Sequence, residues 1–185
     1  MLDPTRGGRF GFYLNYFQNT LQNENPDFFK AYGRYTHYFQ LFKKPSLIFA
    51  GSVSLGSITG AESNVVPADE RFYAGGGGSV RGYSYQSVGP LRGDDPVGGS
   101  SLLQASLEVR WKVTDRIGLV TFLDGGNVYS KTLPDLSEDL LWGAGVGFRY
   151  YTPVGPFRFD VGFPLDKREG IDDSYQIYVS LGQAF

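Results

Sequence analysis

Apolar and polar positions alternate with a period of two along most of this 185-residue chain. Within residues 103–112 the odd positions are Leu103, Ala105, Leu107, Val109 and Trp111, and the even ones are Gln104, Ser106, Glu108, Arg110 and Lys112. Period two predicts a strand with one apolar and one charged face. The same pattern recurs in residues 10–16, 29–41, 47–55, 117–123, 142–150, 157–163 and 175–181. No helical periodicity competes, so the expected fold is all-β and antiparallel, with eight strands. The connections alternate in length: residues 18–27, 58–99, 131–139 and 164–173 are long, whereas 42–45, 113–116 and 152–155 are short. Long loops on one side and tight turns on the other describe an up-and-down transmembrane β-barrel with both ends of the chain on the short-turn, periplasmic side.

A soluble barrel would turn the apolar face inward, and one strand's alternation does not say which face is which. Two features favour lipid outside. The polar faces are rich in Gly, Ser and Tyr and mix both charge signs, as a packed lumen would. The apolar faces carry aromatics near strand ends (Phe10, Phe29, Phe39, Trp111, Tyr150, Phe163, Tyr175, Phe185), where interfacial girdles sit. No apolar run approaches the roughly twenty residues of a membrane helix. Residues 1–4 have no basic region followed by an apolar core, so no secretion signal is expected within them.

Composition narrows the chemistry. Seventeen basic against 19 acidic residues lack the basic excess of a polyanion binder, so nucleic acid is not an expected partner. With no Cys and a single His, disulfides and Cys/His zinc sites are excluded. His37 falls on the apolar face beside Phe39 and reads as a satisfied or interfacial histidine. Residues 51–56 have the wrong spacing for a nucleophile elbow. Residues 75–82 lack the Lys-Ser/Thr of a phosphate loop and precede no helix. Asp94-Asp95 and Asp172-Asp173 read as solvated loop charge. The polar-face charges Lys30, Arg34, Glu108, Arg110, Lys112, Asp124, Arg149, Arg158 and Asp160 read as a packed, largely paired interior. Neither an enzymatic activity nor a metal or other cofactor is expected.

The third connection is too long for a passive link. It contains Phe72-Tyr73-Ala74-Gly75-Gly76-Gly77-Gly78-Ser79-Val80-Arg81-Gly82-Tyr83. The glycines permit a tight fold-back, and Arg81 offers five donors in a rigid fork. Taken alone, Arg81 reads as a solvated arginine on a flexible loop, and Asp124 lies on the polar face of the fifth strand. This stretch resembles the signature loop of the BamA/TamA superfamily of outer-membrane assembly barrels. That family's hallmark is a Val-Arg-Gly-aromatic tetrad, here Val80, Arg81, Gly82 and Tyr83. The continuation through residue 90 looks most like the TamA branch. Phe122-Leu123-Asp124-Gly125-Gly126 is similar to the family's Phe-x-Asp-x-Gly strand motif, and residues 152–156 resemble its penultimate turn. The closing strand, with Tyr175, Ile177, Val179, Leu181, Gly182 and Phe185, is similar to the family's last strand. Residues 3–7 resemble the opening of the ninth of its sixteen strands.

The resemblance implies that residues 1–185 form a single barrel domain, the C-terminal half of a TamA-like barrel without its polypeptide-binding (POTRA) domains, in the outer membrane of a Gram-negative bacterium. It implies that Arg81 reaches Asp124 and Phe122, with Gly126 completing the partner motif. Partners would be outer-membrane lipid and unfolded outer-membrane proteins that pair by strand addition. Three functions stand: a minimal barrel without insertase activity, an active half-barrel that dimerises to sixteen strands, and a small pore or adhesin. Closure of the first strand onto the last, giving an eight-stranded monomer, is favoured over the dimer. Its narrow lumen, filled by Tyr13, Tyr32, Tyr38, Arg149 and Arg158, would exclude the loop, so the Arg81 contact is expected to be lost or confined to the rim.

Overall fold

The computed structural model describes residues 3–18 and 27–185; the first long connection therefore lies largely outside the described residues. The strands are β1 (Gly7–Phe17), β2 (Phe28–Lys43), β3 (Ser46–Thr59), β4 (Leu91–Arg92), β5 (Asp95–Pro96), β6 (Ser101–Lys112), β7 (Ile117–Tyr129), β8 (Leu141–Thr152), β9 (Gly155–Pro164) and β10 (Gln176–Leu181). Eight of them form one antiparallel sheet in the order β1-β2-β3-β6-β7-β8-β9-β10, and β4 and β5 form a small hairpin inside the third connection. Sequence neighbours pair throughout, the up-and-down arrangement that alternating loop lengths require. A single 3₁₀ turn, Ala68–Glu70, also falls in that connection.

Exposure settles the orientation of the two faces. Glu108, Arg110, Asp124, Arg149 and Asp160 are all buried, whereas Leu107, Val146 and Val179 are 60%, 57% and 72% exposed. Register carries this across the sheet. Glu108 stands between Ala50 and Phe122, and its neighbour Leu107 between Gly51 and Leu123. The charged face is thus the inner one, and the outer face is a continuous band of exposed aliphatic and aromatic side chains, the distribution of a membrane barrel wall rather than a soluble barrel. His37 lies on this outer face with Nδ1 3.0 Å from the Tyr35 hydroxyl.

Two expectations are corrected. The sheet is open: β1 pairs with β2 and β10 with β9, and no ladder joins β1 to β10. The concavity is occupied. The third connection folds back over the inner face, and its Val66, Phe72, Ala74, Val80, Tyr83 and Val88 form a buried cluster with Phe28, Ile58, Leu102 and Val128 of the sheet. An eight-stranded cylinder has room only for its own side chains. Second, the closing strand ends at Leu181. Gly182, at φ +97°, bends the chain inward, and its N–H donates to the Pro156 carbonyl at 2.8 Å. Phe185, expected in the outer girdle, instead stacks inside against Tyr38, with ring centroids 6.5 Å apart. Positive φ is accessible to glycine at little steric cost, which is why the ladder can break at that position.

Val146 tests the orientation. Val146→Arg places a cation on the lipid face and is expected to cost roughly 2–4 kcal/mol if near the bilayer midplane. Refolding yield in lipid vesicles should collapse for Val146→Arg and remain unchanged for Leu136→Arg, which lies in an exposed loop.

Candidate functional site

The tetrad Val80-Arg81-Gly82-Tyr83 is the deepest part of the inserted loop, and each of its residues is buried. Glycine geometry brings it there. Gly75 and Gly76 take φ of +106° and +97°, turning the chain down into the concavity. The wall is cut away to receive it. A Cβ on Gly143 would lie 1.8 Å from the Arg81 carbonyl oxygen, and one on Gly162 would lie 2.7 Å from the Gly82 nitrogen. A Cβ on Gly126 would press on Val80 at 3.1 Å.

Arg81 is 1% exposed. Its Nε donates to Asp124 Oδ2 at 2.6 Å and its Nη2 to Asp124 Oδ1 at 2.9 Å, a two-pronged grip, and its own backbone N–H donates to Oδ2 at 3.1 Å. Its Nη1 donates to Glu108 Oε1 at 2.6 Å and to Asp160 Oδ2 at 3.0 Å. The guanidinium carbon sits 3.6 Å from the centroid of the Phe122 ring. The contact implied by the family resemblance is therefore formed, deep in the concavity. The expectation that it would be lost or confined to the rim is overturned, because that argument assumed a closed cylinder and the sheet is open.

The surrounding charges complete a network. Arg110 Nε donates to Glu108 Oε2 at 2.7 Å, and Arg149 donates to Asp160. Arg158 Nε lies 3.0 Å from Asp160 Oδ2 without hydrogen-bond alignment, while its Nη2 donates to the Gly77 carbonyl. Ser106 donates to Asp124. Four guanidinium groups and three carboxylates share this space, so each buried charge has opposite neighbours, the condition for tolerating it out of water. The paired interior expected from mixed-sign strand faces is present, and the loop supplies its central cation.

Tyr83 and Gly82 are held from above. The Tyr83 hydroxyl donates to the Trp142 carbonyl at 2.9 Å, and burial pushes that hydroxyl up to about 12. Tyr178 of β10 accepts from the Gly82 N–H at 2.9 Å and donates to the Tyr83 carbonyl at 2.8 Å. Arg168 lies over the Tyr83 ring, 5.7 Å from its centroid, and donates to the Ser87 carbonyl. Its own partner is Asp172, through Nε at 2.8 Å and Nη2 at 2.7 Å. Burial works to raise the Asp172 carboxyl, but these hydrogen bonds hold it below the usual carboxylate range. Asp172, read from sequence as solvated, is a clamp on the loop; Asp94 and Asp95 are exposed as expected.

Sequence reasoning located Arg81, Phe122, Asp124 and Gly126 but missed Glu108 and Asp160 as direct partners of Arg81, together with Gly143, Gly162 and Tyr178. Their signal was present: Gly143, Gly145 and Gly147 occupy alternate inner positions of β8, a smooth strip where another strand would carry bulk. Of the closing-strand residues, Ile177, Val179 and Leu181 pair with Val161, Phe159 and Phe157. Tyr175 packs on Phe163, with centroids 6.5 Å apart.

Removing one member of this cluster strands its partners. Asp124→Ala is expected to destabilise the fold by about 3–5 kcal/mol, the usual result of breaking a buried pair. In thermal unfolding in detergent, Arg81→Ala plus Asp124→Ala should cost clearly less than the sum of the singles. Gly143→Ala should expel the loop without touching any charge, read as protease cleavage within residues 75–90 that the parent chain resists.

The Omp85 superfamily domain matches this chain over residues 1–185. The chain is 32% identical over 188 residues to outer membrane protein assembly factor BamA of Nitratidesulfovibrio vulgaris, covering 98% of this chain and 23% of that protein. Against the BamA of Neisseria meningitidis serogroup B it is 27% identical over 216 residues, covering 98% of this chain and 26% of that protein. It thus spans about a quarter of the length of these relatives. The crystal structure of BamA from Haemophilus ducreyi lacking POTRA domains 1–3 has the same fold, with a TM-score of 0.76 at 22% identity over 94% of this chain and 38% of that one. A match over the whole chain, to a family whose fold the sheet shares, decides the matter: this chain belongs to the Omp85 superfamily, as part of an outer-membrane β-barrel of a Gram-negative bacterium.

Proposed function

We propose that residues 1–185 act as one unit, the loop-bearing wall of a barrel that assembles outer-membrane proteins, in a role that involves no enzymatic chemistry. The observation that carries this reading is the pairing of a locked centre with open edges. Arg81 anchors the long loop to β6, β7 and β9, while β1 and β10 each have one edge without a strand partner among the described residues. Unpaired backbone in hydrocarbon costs several kcal/mol per group, so such edges draw in another strand. Main-chain pairing is insensitive to side-chain identity, which suits a surface that must accept many incoming strands. The curated relatives named as assembly factors support assembly as the process. The finer placement in the TamA branch rests on residues 82–90.

On this reading the chain by itself is structural, without insertase activity. The alternative, a dimer of sixteen strands that inserts substrates, is favoured by the exposure of β1 on both faces. A liposome assay following insertion of a test barrel separates them: the chain alone should leave the insertion rate unchanged, and acceleration accompanied by a dimer mass would establish the alternative. In the full-length protein, cysteine at position 179 of β10, in a segment that has none of its own, should crosslink during insertion to every second residue of the test barrel's terminal strand. Absence of any such periodic crosslink would count against strand addition.

A further inference from the structure

The charges are sorted by side. The last two long connections, residues 130–140 and 165–175, carry seven acids against three bases. The tight turns at residues 43–46 and 112–117 carry four bases, Lys43, Lys44, Lys112 and Arg116, against the single acid Asp115. On the loop side Lys131 is bridged to Asp135 and Arg168 to Asp172, while Lys167 donates to the Ser174 hydroxyl. Lys43, Lys44 and Arg116, all exposed, make no ion pair among the described residues. Lys112 faces inward instead, its Nζ 4.3 Å from the centroid of the Tyr151 ring.

Directly beside these turns the outer face carries Phe42, Trp111, Tyr150 and Phe157, all exposed. Large aromatics at strand ends sit at headgroup level, so the three cations next to them reach the phosphate layer of the turn-side leaflet. We propose that the turn-side rim is a docking surface for anionic phospholipid headgroups, with Lys43, Lys44 and Arg116 as the phosphate-binding groups. The acidic loops repel the same headgroups, so the preference is confined to one leaflet. Each Lys or Arg near an anionic surface strengthens association about fivefold, and three together about a hundredfold at low ionic strength.

The two tryptophans stand at opposite ends of the barrel wall and make the surface measurable. In nanodiscs, Trp142→Phe leaves Trp111 as the reporter at the turns, and Trp111→Phe leaves Trp142 near the loops. Brominated phosphatidylglycerol should quench Trp111 severalfold more strongly than brominated phosphatidylcholine, and should show no such preference at Trp142. The preference should vanish in the K43Q/K44Q/R116Q variant and with rising salt, and persist in K43R/K44R, which keeps the charge. Mass spectrometry of the chain in detergent should show phosphatidylglycerol retained by the parent and lost from the triple variant. Equal quenching by the two lipids at Trp111, or a preference that survives the triple substitution, would overturn the proposal. Displacement of the phosphatidylglycerol effect by a hexaglutamate peptide would overturn it in favour of an acidic polypeptide partner.

Discussion

The buried charges on the inner side of this sheet are arranged around one guanidinium. Arg81 meets Asp124, Glu108 and Asp160, carboxylates contributed by three different strands, and stacks on the ring of Phe122. A lone charge in such a place would be intolerable, and so would three clustered carboxylates without cations. The loop and the wall are therefore obligatory partners: the loop's cation neutralises acids that would otherwise repel each other, and the acids repay the desolvation of the loop. Glycines at 75, 76 and 82 on the loop and at 143 and 162 on the wall allow the approach. The result is a long connection, normally a mobile element, packed as tightly as a core.

The same charges that suit the interior would be ruinous outside. Hydrocarbon accepts no unpaired polar group, so the period-two pattern sends every charge on β6–β9 inward and leaves an apolar band facing lipid. Because side chains alternate strictly, a register slip by one residue would exchange the two faces. Cross-strand rows such as Ala50–Glu108–Phe122 and Gly51–Leu107–Leu123 keep the register in step across β3, β6 and β7.

Rigidity at the centre contrasts with incompleteness at the margins. β10 pairs over six residues before Gly182 turns the chain inward, and β1 is exposed on both faces over most of its length. The tail is nonetheless tied to the interior: Gln183 accepts from Arg149 at 3.1 Å and donates to Asp3 at 2.9 Å, and Arg110 donates to the Phe185 carbonyl at 3.2 Å. The clamp from Tyr178 to the tetrad places β10 in contact with the loop as well. Both the edge strand and the tail are thus connected to the charge network that Arg81 centres.

The sequence by itself determined the strands, their antiparallel order and the two faces each presents, because side-chain alternation is a local property that survives in any register. It also determined that the tetrad and the Phe-x-Asp-x-Gly strand belong together, through their resemblance to one family. Only the tertiary structure decided which acids Arg81 meets, that Asp172 is a clamp and not a solvated charge, and that Phe185 lies inside. Those outcomes depend on which residues from distant segments come to share one volume. That volume is set by the long loop folding back onto the inner face, where its apolar cluster and Arg81 meet side chains from several strands. No periodicity within a single strand records which loop enters or whom it meets.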